Sequence, residues 1–169
     1  MDYEAIGIIL IPEFITEAEE AYTIARIHKY PQIENCKTRN NIQRYGSTIP
    51  YRNNMAASKI PKFLDMLSDK LIENKLVEEK PDSITINQYY IGQAILPHID
   101  SPGSGKVITV ISLNSDSTMK FRKDEEEFSI ELPRRSLIQI KGEIRELWEH
   151  SIDPVKEERY SIVFRCSLS

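Results

Sequence analysis

The chain has 169 residues, 40% hydrophobic and 28% charged, with a formal net charge of −4. That balance describes one globular domain over 1–169 with its own core, and six glycines and nine prolines exclude a low-complexity chain. No apolar run reaches membrane-spanning length, and the opening MDYEAIGIILIPEF is too acidic, and broken too early by Pro12, for a secretory signal.

In chain order, AIGIILI (5–11) reads as a strand. TEAEEAYTIARIHKY then opens with Thr16 and carries Glu19 three residues on, a capping box. Ala18, Ala21, Tyr22, Ala25 and Ile27 keep roughly helical spacing, which predicts a helix to about His28 with that imidazole on the last carbonyls. NIQRYG reads as a strand and GSTIPYRNN as a long polar loop. Pro61 opens a second helix at its first position, with Phe63, Leu64, Leu67, Leu71 and Ile72 on the apolar face.

After Pro81 the texture changes to short β-rich runs: SITINQYY, KVITVISL, TMKFRK, EFSIEL, SLIQIK, IRELWEHSI and RYSIVFRCS. PGSG, DEEE, PRR, KGE and IDP divide them, a spacing that means a sandwich or barrel rather than a βαβ sheet. The expected fold is mostly β with flanking helices: a jelly-roll core over about 83–167, buttressed by two N-terminal helices.

Charge is unevenly spread. From Arg26 to Lys62 there are eight Lys/Arg and one acid, Glu34, so this segment is +7 and the remainder −11. Cys36 and Cys166 have neither disulfide-framework nor zinc spacing, which points to a reducing compartment, cytosol or nucleus.

The chemistry gathers around ILPHIDSP. His98 and Asp100 are two apart, so a regular strand turns both to one face, and His150 stands in LWEHSI. Two imidazoles and a carboxylate are the facial triad of non-haem iron(II), with open positions for cosubstrate and oxygen. A lone H-x-D is a weak signal. RYSIVFR strengthens it, because Arg159 and Arg165 are six apart on one strand face and offer rigid forks for a carboxylate. Asn87 and Tyr89 share a face of the strand that leads into the H-x-D and can hydrogen-bond the same ligand. Taken singly, the arginines could be a solvated edge and Tyr89 ordinary core.

In this order, N-x-Y-x-x-G, H-x-D, L-x-R-x-S-L, G-E-x-R-x-x-W-x-H and R-x5-R resemble the AlkB family of iron(II)- and 2-oxoglutarate-dependent dioxygenases from Ser83 to Arg165. IGQAILPHID, LPRRSL and GEIRELWEHSI read most like the eukaryotic homologues related to the tRNA wobble-uridine hydroxylase. The resemblance implies iron(II) on His98, Asp100 and His150. It implies 2-oxoglutarate, the cosubstrate used with O2, on Asn87, Tyr89, Arg159 and Arg165. Ser161 stands where several members carry an asparagine near 2-oxoglutarate, a shorter hydrogen-bonding group.

In the family the stretch before the core supplies a lid over the substrate nucleotide, and about 26–62 resembles it. Arg44, Tyr45, Tyr51 and Arg52 interleave cation and ring, a combination that contacts phosphates and stacks bases; a merely solvated loop is the bland alternative. Arg145 is expected to face the pocket and Trp148 the core. The expected activity is hydroxylation or demethylation of a nucleobase, in RNA or tRNA rather than DNA. The alternatives are an oxygenase of proteins or small molecules and a non-catalytic binding module. The expected state is a monomer. The chain ends at Ser169, just past the last expected strand, so RNA-binding or methyltransferase functions are expected either from a partner or not at all.

Overall fold

The computed structural model describes residues 2–30, 34–35, 41–47 and 58–167. The described strands are β1 (Ile8–Ile11), β2 (Glu34–Asn35), β3 (Asn41–Gly46), β4 (Ser83–Tyr89), β5 (Ile95–His98) and β6 (Val107–Leu113), followed by β7 (Ser117–Lys123), β8 (Glu126–Leu132), β9 (Leu137–Lys141), β10 (Glu149–Ile152) and β11 (Arg159–Arg165). They form two antiparallel sheets, one ordered β1-β9-β6-β11-β4-β3-β2 and the other β5-β10-β7-β8. The helices are α1 (Glu17–Ile27), α2 (Lys62–Glu73) and α3 (Glu143–Leu147). This is the expected jelly roll with two N-terminal helices.

Strand alternation divides the interior into two layers. Ile84 and Ile86 of β4, with Tyr160, Ile162 and Phe164 of β11, pack with Phe63, Leu64, Leu67 and Leu71 of α2. The intervening residues face the other sheet, where Tyr89 and Val163 join Met119, Phe121, Ile130 and Ile152. A strand covered on both faces has little room for polar residues, which is why VITVISL reads as a near-continuous hydrophobic run, whereas RYSIVFR turns Arg159, Ser161 and Arg165 to a pocket.

The capping box forms as read: Thr16 Oγ1 accepts from Glu19 N at 3.1 Å, and Thr16 N donates to the Glu19 carboxylate at 2.8 Å. The helix itself forms over the expected span, Glu17–Ile27. Ala18, Ala21, Tyr22 and Ala25 are exposed, and the buried side carries Glu20, Thr23 and Ile27. Glu20 is tolerated there because Arg134 Nε and the backbone N–H of Asn114 donate to it at 2.7 and 2.9 Å. The His28 ring meets the Tyr160 hydroxyl at 2.7 Å instead of capping carbonyls. Pro61 is the N-cap of α2, one position earlier than read.

Two strand readings shorten. The first strand starts at Ile8, because Gly7 has φ +93° and lies so close to the Lys141 carbonyl that a Cβ would meet it. IRELWEHSI splits: Gly142, at φ +62°, accepts from the N–H groups of Arg145 and Glu146 and starts α3, so only Glu149–Ile152 is strand. Trp148 lies at the margin of the inter-sheet core, its ring edge-on to Phe128. Among the described residues no helix is long and apolar enough to cross a membrane.

Candidate iron and 2-oxoglutarate site

His98 and His150 are direct register partners on β5 and β10, so the ladder itself brings the imidazoles together, with ring centroids 4.4 Å apart. Asp100 stands two residues past His98, beyond the end of β5, and is buried. Its Oδ1 lies 3.3 Å from His98 Nε2 and 3.9 Å from His150 Nε2, and the three ligand atoms fall within 4.8 Å of one another. The other oxygen, Oδ2, accepts from Arg165 Nε at 2.9 Å and lies 2.9 Å from its Nη2. One carboxylate oxygen is thus tied down and the other turned to both imidazoles. His98 Nδ1 sits 2.8 Å from the Leu96 carbonyl, a contact that fixes this nitrogen as the N–H donor and leaves Nε2 to accept a metal.

The electrostatics agree with a cation site. Burial alone would raise the Asp100 carboxyl, but the His98 hydrogen bond and the Arg165 and His150 charges hold it well below the usual carboxylate range. Burial, then the His98 charge, pull His150 down to about 4, so it stays neutral and ready to ligate at neutral pH. Burial also disfavours protonated His98, yet the Asp100 hydrogen bond, the Leu96 carbonyl and the Asp100 charge together outweigh it and raise that imidazole. A proton between His98 and Asp100 occupies the place that a divalent cation would take.

Behind the donors runs a pocket bounded by Asn87, Tyr89, Ile108, Val110, Arg159 and Val163. Arg159 is 0% exposed at its end. Its Nη2 donates to Ser112 Oγ at 2.8 Å, and its guanidinium carbon lies 5.0 Å from the centroid of the Tyr89 ring. Nε and Nη1 are buried without a hydrogen-bond partner among the described residues. Burial pushes this guanidinium below its ordinary value. A buried cation with two donors left open fits the far carboxylate of a dicarboxylic acid, as the donor set fits iron(II). Asn87 Nδ2 donates to Ser161 Oγ at 3.2 Å, so the serine that departs from the family pattern sits on this wall.

Arg159 and Ser161 pair in register with Tyr89 and Asn87, and Ser161 with Ser112, which gathers the expected cosubstrate residues onto one inward face. Sequence reasoning does not single out Ser112. Its signal is that, of the two hydroxyls in VITVISL, Ser112 and not Thr109 shares the inward phase of Ile108 and Val110.

A groove of about 550 Å³ opens from His98 and Asp100 and is lined by Leu96, Pro97, Ile99, Thr85, Ile42 and Arg44. Arg44 therefore reaches the site. Tyr45 does not: successive strand residues face opposite ways, and its ring is 7% exposed in the helix-side core with its hydroxyl bonded to Gln43 at 2.8 Å. Arg145 is also displaced from its expected place. It is 3% exposed and its guanidinium binds main-chain carbonyls, not the groove. Tyr51 and Arg52 lie outside the described residues.

Residues 21–165 match the 2OG-Fe(II) oxygenase superfamily. The chain is 32% identical over 176 residues to the uncharacterized protein L905 of Acanthamoeba polyphaga mimivirus, covering 94% of this chain and 84% of that one. It is 29% identical over 160 residues to the Xenopus tropicalis tRNA (carboxymethyluridine(34)-5-O)-methyltransferase alkbh8. That alignment covers 89% of this chain but 26% of the relative, so the chain spans about a quarter of that protein's length. Among solved structures, OsALKBH1 superposes with a TM-score of 0.68 at 15% identity, over 94% of this chain and 97% of that one, a likeness of fold.

Proposed function

The chain belongs to the 2OG-Fe(II) oxygenase superfamily, and from that premise we propose that it hydroxylates or demethylates a nucleobase, in RNA rather than DNA. It is an iron(II)- and 2-oxoglutarate-dependent dioxygenase. Bound in the site, iron(II) and 2-oxoglutarate would supply the activation of dioxygen, with succinate, carbon dioxide and an oxidised substrate carbon as products. If that carbon is an N-methyl group, the hydroxylated product loses formaldehyde.

In this reading His98 Nε2, Asp100 Oδ1 and His150 Nε2 hold the iron, and Arg165 keeps Oδ2 of Asp100 out of the ligand set. Arg159 takes the far carboxylate of 2-oxoglutarate, oriented by Ser112, while Asn87, Tyr89 and Ser161 line the approach. The apolar walls supplied by Ile108, Val110 and Val163 keep water from that pairing and strengthen it. The substrate enters through the open groove.

The single observation that carries the nucleic-acid assignment is the groove's reach from the metal donors to Arg44, which belongs to the +7 segment of an otherwise acidic chain. A cation beside an apolar wall suits a phosphate and a base held out of its stack. The tRNA named for the Xenopus relative favours RNA.

The test is to incubate iron-loaded protein with total RNA, or with DNA, and compare modified nucleosides by mass spectrometry with and without 2-oxoglutarate. RNA nucleosides should change only with 2-oxoglutarate, and His150→Ala should abolish the change together with succinate formation. Succinate formation by the parent protein that no nucleic acid stimulates would overturn the substrate assignment.

A further inference from the structure

We propose that Arg145 is a positioning residue for iron, gripping the main chain of the H-x-D segment so that the Asp100 carboxylate stands opposite the two imidazoles. The inference rests on the reading of His98, Asp100 and His150 as iron ligands.

Arg145 Nη1 donates to the Asp100 carbonyl at 2.9 Å and Nη2 to the Ser101 carbonyl at 2.7 Å. One planar fork thus holds two consecutive peptide units, an arrangement that fixes orientation as well as position. Among the described residues the one backbone hydrogen bond at these two carbonyls is from Ser104 N–H to the Ser101 oxygen at 3.0 Å, and the Asp100 carbonyl has none. β5 ends at His98, its last residue paired to β10, so Asp100 carries its carboxylate past the end of the ladder. A 3-10 turn at Pro102–Ser104 follows, opening on a proline that has no N–H to donate. The clamp itself is firmly mounted. α3 begins at Glu143 behind its N-cap Gly142, which follows β9 immediately, and the neighbouring Ile144 is buried in the inter-sheet core. Arg145 is also five residues before His150, so one short segment delivers both the third ligand and the grip on the second.

Two arginines share the placement of Asp100. Arg165 holds its carboxylate by Oδ2, and Arg145 holds the backbone that carries it. Charge alone would make Arg145 unwelcome. It is buried, no carboxylate bonds it among the described residues, and a positive group beside a cation site repels the cation. Removing it therefore separates two effects of opposite sign. If its charge dominates, metal binding tightens; if its grip dominates, binding weakens. Partners that orient metal ligands typically contribute about 10–100-fold in affinity, and the geometry places Arg145 among them.

The experiment titrates cobalt(II), a coloured stand-in for iron(II), into the metal-free parent, Arg145→Lys, Arg145→Gln and His150→Ala. Affinity is followed by the ligand-field spectrum, and each metal-free protein's stability is measured in parallel. Arg145→Gln should bind cobalt about 10–100-fold more weakly. Arg145→Lys, which keeps the charge and reaches one carbonyl, should fall between it and the parent with an altered spectrum. At saturating metal, the apparent affinity for 2-oxoglutarate should change less than twofold, since Arg159 is intact. If Arg145→Gln does not fold, the lysine variant carries the test alone. Unchanged or tighter cobalt binding, with the parent's spectrum, overturns the inference. The control separates the two readings: if His150→Ala also binds like the parent, the iron site itself is wrong, whereas loss in His150→Ala alone removes only the clamp.

Discussion

Replacing Arg159 with methionine should have two effects of opposite sign. The guanidinium is 0% exposed, with one bond to Ser112, the Tyr89 ring 5.0 Å away, and two donors unmatched among the described residues. Burying a cation costs several kcal/mol even after relaxation. The ring returns roughly 2 kcal/mol of that, and the hydrogen bond about 1.5–3 kcal/mol. Methionine is two atoms shorter, but the space it vacates opens onto the pocket and it carries no charge to desolvate, so Arg159→Met without cosubstrate should be about 0–3 kcal/mol more stable than the parent. At this chain length each kcal/mol moves Tm by about 2–4 °C. Binding goes the other way. Two charge-assisted hydrogen bonds to a carboxylate amount to roughly 3–6 kcal/mol, so affinity for 2-oxoglutarate should drop by about 10²–10⁴. Thermal unfolding of manganese-loaded protein, with and without 2-oxoglutarate, reads both quantities. At a hundredfold excess over Kd the ligand stabilises the parent by about 2.7 kcal/mol, whereas the variant's transition should not move. A ligand-free variant less stable than the parent by more than about 3 kcal/mol would show that Arg159 serves the fold, beyond what its single hydrogen bond can explain. A variant transition that rises with 2-oxoglutarate like the parent's would show that its carboxylate partner is wrong.

Metal affinity should follow the proton that His98 shares with Asp100. Because the His98 imidazole is raised and His150 lies at about 4, cobalt(II) binding should weaken about tenfold per pH unit below the His98 value, and more steeply only near pH 4. Affinity that stays flat from about pH 7 to 5, across the ordinary imidazole range, would count against these ligands. Tyr45→Ala should destabilise the fold by about 3–5 kcal/mol, because its ring fills the helix-side core. Tyr45→Phe removes one hydrogen bond and should lose about 1 kcal/mol while binding RNA like the parent, as chemical denaturation and RNA titration will show. Arg44→Ala should weaken single-stranded RNA binding and flatten its logarithmic salt dependence by about 0.7, the value for one phosphate contact. An unchanged slope would place the phosphate elsewhere.

The β core was legible because its strands obey a period of two and their turns are marked by Gly, Pro and charge. That phase alone put Arg159 and Arg165 on one face, and register with β4 then brings Asn87 and Tyr89 beside them. α1 was legible as a helix from its capping box and spacing, but its exposed Ala18, Ala21 and Ala25 do not say which face is buried. The core side is instead occupied by Glu20, a charge tolerated through Arg134 and a backbone N–H more than ninety residues away. Tyr45 misled for a related reason. Ring next to cation is the right composition for a nucleotide surface, but on a strand neighbours point to opposite sides, so Arg44 reaches the groove and Tyr45 cannot.

Arg145 shows where this kind of reading stops. A ligand such as His98 or Asp100 is named by its side chain, and its spacing announces its role. The groups that Arg145 binds are peptide carbonyls, and every residue has one, so no residue type in the sequence could point to them. What the sequence does offer is a charged side chain in a segment that must be buried between a core strand and a metal ligand. An arginine there needs acceptors that its local chain cannot supply, and the nearest unpaired main chain is where a ladder ends. In this fold the ladder of β5 ends at His98, immediately before Asp100. The strand that presents one ligand gives out before the next, and the arginine beside the third ligand supplies the constraint that the missing strand would have given.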